Sequence, residues 1–70
     1  MKLIKVTPDE KRLAKLANFK KKAPKKPKMS SGMAVKERFI ARYNDWAKQV
    51  KSAAKEGRKI QATNNAIRNA

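Results

Sequence analysis

The sequence predicts an all-α protein: a short basic N-terminal helix, an extended Pro/Lys linker and a long amphipathic C-terminal helix. Three observations carry this. Thr7-Pro8-Asp9-Glu10 is a strong helix start, Pro24 and Pro27 interrupt any helix between residues 23 and 32, and apolar or small residues recur at helical spacing from Phe39 onward. The organisation that follows is residues 1–22, an extended segment plus basic helix; 23–32, the linker; and 33–70, the long helix.

Residues 1–6 contain Leu3, Ile4 and Val6, which suit an extended segment but have no second strand to pair with. They are expected to lie as a tail on a helix; the alternative is addition to the sheet edge of a partner. At Thr7 the hydroxyl can accept from the first free N–H groups, Pro8 needs no N–H at its position, and Glu10 stands where a capping box requires it. Asp9 and Glu10 also favour the positive end of the helix dipole. The first helix is expected from Pro8 to about Lys22, with a thin apolar face of Leu13, Leu16 and Ala17, to which Phe19 is an open addition.

The linker joins Lys20-Lys21-Lys22 to Lys25, Lys26 and Lys28 around two prolines. Charge repulsion and the proline rings keep it extended, either as a solvated hinge or as a strip that lies along phosphates. The basicity of the whole chain favours the second reading, and a basic import signal is a weaker third.

Ser30 or Ser31 is expected to cap the second helix. Its apolar face runs through Phe39, Tyr43, Trp46, Val50, Ala53, Gly57, Ile60 and Ile67. The phase holds across Gly57, so one helix to about Asn64 is the simplest reading; a break at Gly57 with a short third helix is the alternative, because glycine inside a helix costs about 1 kcal/mol. Residues 53–66 resemble a helix-turn-helix in having Ala53 and Gly57 four apart, but Arg58 and Thr63 stand where that motif takes apolar side chains, and no such motif is assigned. The layout is similar in style to small ribosomal proteins, a likeness of composition that assigns no family.

In 70 residues there are 20 Lys and Arg against 5 Asp and Glu, a formal charge of +15. Such a charge on one small body repels itself, and a polyanion relieves the repulsion. Cys and His are both absent, which removes disulfides, thiol chemistry and the usual zinc ligands. General acid–base work has no credible pair: Asp9 and Glu10 belong to a helix start, while Asp45 and Glu56 are placed to pair with Lys48 and Lys59. No enzyme activity and no cofactor are expected. No apolar run reaches the roughly 18 residues of a membrane span, and the N-terminus is too charged for a signal peptide. The expected location is intracellular, in cytoplasm or nucleoid, or inside a virion.

The leading expectation is a non-catalytic, largely sequence-nonspecific nucleic-acid binder that packages, condenses or braces DNA or RNA in a larger assembly. Lysine outnumbers arginine and the charge is spread, which suits phosphate contact over base reading. The candidate contact residues are Lys20, Lys21, Lys22, Lys25, Lys26, Lys28, Arg38, Lys48, Lys51, Lys55, Arg58 and Lys59. Leu13, Leu16, Phe39, Tyr43, Trp46, Val50 and Ile60 are expected in a core or a protein interface. Phe39, Tyr43 and Trp46 share one helical face and read as core, leaving Phe19 the freer aromatic for stacking on a base. The alternative is a small helical interaction protein, a virion assembly factor or inhibitor, that docks on a larger complex. An anionic membrane surface ranks last. A first helix of about 22 Å leaves part of a second helix of over about 40 Å uncovered, so self-association or a protein partner is expected along that stripe.

Overall fold

The computed structural model describes residues 2–70, and those residues form two helices, α1 (Pro8–Leu16) and α2 (Met33–Arg68), with no strand. At about 1.5 Å per residue α2 is roughly 54 Å long, and it sets the long axis of a body measuring 57 × 18 × 14 Å. Everything else lies along it.

The start of α1 forms as its sequence requires. The Thr7 hydroxyl accepts from the Glu10 N–H at 3.2 Å, and the Glu10 carboxylate accepts from the Thr7 N–H at 3.0 Å. The helix ends at Leu16, six residues before the Lys22 expected from its sequence. Asn18 takes a left-handed conformation with φ 65. Its N–H then donates to the Lys15 carbonyl and the Phe19 N–H to the Ala14 carbonyl, both at 2.9 Å. This is a Schellman stop, and Phe19 packs back on the core that includes Ala14. Asparagine tolerates the left-handed region because its short polar side chain bonds locally.

The direction of α1 follows from its partners. Ile4 meets Asn44, Glu10 meets Lys51 and Leu13 meets Gly57, so positions on both segments rise together and the helices run parallel. A parallel pair needs a long return. From Gly57 back to Met33 α2 covers about 36 Å. Residues 19–31 provide roughly 40 Å at the polyproline rise of about 3.1 Å per residue. The linker makes that return as a strap against α2. Phe19 lies beside Gln49 and Ala53, the Lys21 carbonyl accepts from the Trp46 indole N–H at 3.1 Å, and Pro24 and Pro27 lie beside Val35 and Phe39. Its two prolines are half-buried and its lysines exposed.

The core contains Leu13 and Ala14 of α1 with Trp46, Ala47, Val50 and Ala54 of α2. Ile4, Val6, Phe19, Tyr43 and Ala53 pack against it. Leu16, expected in the core, is 39% exposed; Ala14 points inward in its place, because α1 meets α2 through small residues at close range. Gly57 explains the closeness. A Cβ built there would overlap the carbonyl oxygen of Leu13 and come within 2.6 Å of its carbonyl carbon. The glycine does not break α2, which runs unbroken to Arg68, and no helix-turn-helix forms. Other local expectations also fail. The N-cap of α2 is Gly32, with no side-chain cap from Ser30 or Ser31. Asp45 accepts from Gln49 at 3.0 Å instead of pairing with Lys48, and Glu56 forms no ion pair among the described residues.

The apolar stripe of α2 has more cover than α1 alone supplies. Ile4 and Val6 of the tail and the strap extend it, leaving Phe39, Tyr43 and Ile60 half-buried. Beyond Ile60 and Gln61 every residue is exposed.

Candidate nucleic-acid interface

Cationic side chains gather on three surfaces. The first is a groove of about 640 Å³ between α1, the strap and α2, lined by Lys11, Lys15, Lys20, Lys21 and Lys22 above Ala14, Phe19, Ala23, Trp46 and Val50. No acidic residue lines it. Helical spacing places Lys11 and Lys15 on one side of α1, and the Schellman stop turns the chain so that Lys20–Lys22 line the same groove. The Lys11 ammonium lies 6.0 Å from the centre of the Trp46 ring, a cation–π arrangement. Trp46 is fixed further by Tyr43, whose ring centre is 5.4 Å away and tilted by 53°.

A second, smaller recess lies at the other end of the strap, where Lys25, Arg38 and Arg42 stand beside Pro24, Pro27, Val35 and Phe39. The third surface is the back of α2. Lys48, Lys55 and Lys59 are seven and four apart, which sets them in one outward line, and all three are exposed. Lys26, Lys28 and Arg58 are exposed as well.

Lys51 stands apart from the other candidates. Its ammonium is 3.1 and 3.2 Å from the two Glu10 carboxylate oxygens, at the seam between the helices. The hydrogen bond from Thr7 and then the Lys51 ammonium hold the Glu10 carboxyl below the usual carboxylate range, against a smaller opposing effect of burial. Lys51 therefore joins the two helices and is a weak candidate for phosphate contact. Conversely, Lys11, Lys15 and Arg42 reach the grooves without having been picked out from the sequence. The four-residue spacing of Lys11 and Lys15 was the available signal, but their value depends on what the strap brings opposite them.

Of the expected core or interface residues, Leu13, Trp46 and Val50 are buried, Phe39, Tyr43 and Ile60 are half-buried, and Leu16 is exposed. Phe19 is half-buried, with part of its side chain lining the first groove. Among the described residues no group of His, Cys, Asp or Glu gathers to hold a metal ion, and no helix is long and apolar enough to cross a membrane. No known protein family, curated protein or solved structure matches the chain.

Proposed function

We propose that this protein binds nucleic acid through the phosphate backbone, with little dependence on sequence, and braces or packages it within a larger assembly. The observation that carries the reading is the strap. Its prolines face α2 while all six lysines between Lys20 and Lys28 are exposed. Cations on a docked strap are already spread along a line, so binding loses less chain entropy than it would with a free tail. The back line of Lys48, Lys55 and Lys59 gives a second row for a neighbouring strand or a second duplex. Two cationic faces on one narrow rod suit bridging and compaction.

Affinity for duplex DNA or structured RNA should fall steeply as salt rises, since each neutralised phosphate releases condensed counterions. Titrations at several salt concentrations measure the slope. Changing Lys20, Lys21, Lys22, Lys25, Lys26 and Lys28 to Gln should flatten it and weaken binding, with the helical signal in circular dichroism retained. A flat response in the unmodified protein would overturn the proposal, and so would strong preference for one short sequence.

A second reading, docking on a larger protein complex, is favoured by one place. Met29 is 87% exposed and Met33 68% exposed at the turn into α2, with Val35 exposed nearby. Flexible methionines on a surface suit protein contact. Changing Met29 and Met33 to Ser should abolish such docking and leave the salt-dependent affinity for nucleic acid unchanged.

A further inference from the structure

We infer that the groove between α1 and the strap seats an unpaired nucleobase, with the flanking phosphates held by its rim lysines, an inference that rests on the nucleic-acid reading above. The groove's chemistry has two parts. Its exposed lining residues are Lys11, Lys15, Lys20, Lys21, Lys22 and Ala23, five of them cationic, while Phe19, Trp46 and Val50 line it from deeper in the fold. A bare phosphate has no use for that floor, and an uncharged apolar ligand has no use for five ammonium groups. The occupant that matches both is flat and apolar in the middle and anionic at either end.

An unpaired nucleotide within a strand has that form. The groove's volume of about 640 Å³ lies in the range of small-molecule sites, roughly 300–1,000 Å³. A paired base cannot enter, because its faces are stacked and one edge is occupied by its partner. The five lining cations, with no acid among them, also disfavour a neutral or basic peptide. Apart from the lysine ammoniums the lining side chains offer no hydrogen-bonding group, since the Trp46 indole N–H already donates to the Lys21 carbonyl. A base meets such a lining through its face, by stacking, and its polar edge can remain at the open mouth. The same lack of side-chain partners means that the groove takes any base.

The floor is built before binding. The Schellman stop at Asn18 sets Phe19, and the bond to the Lys21 carbonyl ties Trp46 to the strap. Trp46 is also the only tryptophan of the chain, so its fluorescence reports on the groove directly.

The test compares a single-stranded oligonucleotide of about ten residues with an abasic strand of equal length and charge, a count within the span of known single-strand sites. Labelled-strand anisotropy reads binding, and Trp46 emission reads the groove. The base-bearing strand should bind about tenfold tighter, the ratio expected of one stacked base, and should quench Trp46. The abasic strand should bind without quenching. Phe19→Leu, which keeps apolar bulk but removes the flat ring, should bring the two affinities together and leave the salt slope unchanged. Equal affinities with unaltered Trp46 emission in the unmodified protein would overturn the inference and leave phosphate binding standing. Failure of both strands to bind at low salt would overturn the inference, and failure of duplex DNA and structured RNA as well would overturn phosphate binding with it. An acidic amphipathic peptide that quenches Trp46 where the base-bearing strand does not would make the groove a protein-docking site and overturn the inference.

Discussion

One helix lives in two environments. From Phe39 to Gly57, α2 is clad by the tail, α1 and the strap; from Ala62 to Arg68 it stands bare, every side chain exposed. The local helical pattern does not change at the boundary. What changes is the cover. Ala47, Val50, Ala54 and Gly57 form a shallow line that lets α1 approach closely, and α1 ends at Leu16, three residues after the Leu13 that meets Gly57. The clad part is held by tertiary packing, and the bare part by helix propensity continued from a formed helix. Stability along α2 should therefore be uneven, with amide exchange slow up to Gly57 and fast in the arm.

The largest expected effect comes from the middle of the clad part. Trp46→Ala removes a buried ring and the bond that ties the strap, and should cost about 3–5 kcal/mol. In a chain this small that is enough to unfold it, as urea titration followed by circular dichroism would register. Survival of full helical signal would mean that the cladding contributes little and that the two parts of α2 do not differ.

Gly57→Ala tests the boundary itself. In an isolated helix the change is favourable by about 1 kcal/mol. Here the new methyl meets the Leu13 backbone, and overpacking of this kind costs about 1–3 kcal/mol or more. A fall in melting temperature is expected. A rise would show that α1 stands off from α2 in solution.

Acid should loosen the clad part more gently. The Glu10 carboxyl titrates below its ordinary value in the folded chain, so its contribution is present above the unfolded carboxylate pKa, about 4.5, and is lost as pH falls through the lowered folded value. Thermal melts across that acidic window should show the loss in the unmodified protein and a flatter response in Glu10→Gln. Equal slopes would mean that the capping box and the Lys51 pair add nothing to docking of α1.

The smallest effect belongs to the arm. Ala62→Gly should weaken the local helix by about 1 kcal/mol, speed amide exchange beyond Gly57 and leave the main unfolding transition in place. A shift of the whole transition would join the arm to the clad part.

How much was legible depended on how local the cause was. The Thr7–Glu10 start needs four neighbouring residues and was readable, as was the apolar phase of α2. The stop at Asn18 was equally local, but the run of lysines after it suited a helix C-terminus and concealed it. At Leu16 the helical periodicity pointed to a buried leucine, yet contact with Gly57 brought α1 in along Leu13 and Ala14 instead. Asn44 gave no sign in advance. It accepts from the Ile4 N–H at 2.9 Å and donates to the Lys2 carbonyl at 3.2 Å, so its amide serves the tail as a neighbouring strand would. That pairing spans some forty residues, beyond the reach of any local pattern.

Residue type and spacing alone determined the helical class, the long C-terminal helix, the non-helical linker and the excess of positive charge. Each follows from backbone propensity, proline geometry or simple counting. Tertiary structure decided that α1 runs parallel to α2, that the linker becomes a strap with its prolines inward, and that Lys11 and Lys15 line one groove with Lys20–Lys22, Phe19 and Trp46. Those outcomes depend on how closely two backbones can approach at Gly57 and on where a return of roughly 40 Å must then lie.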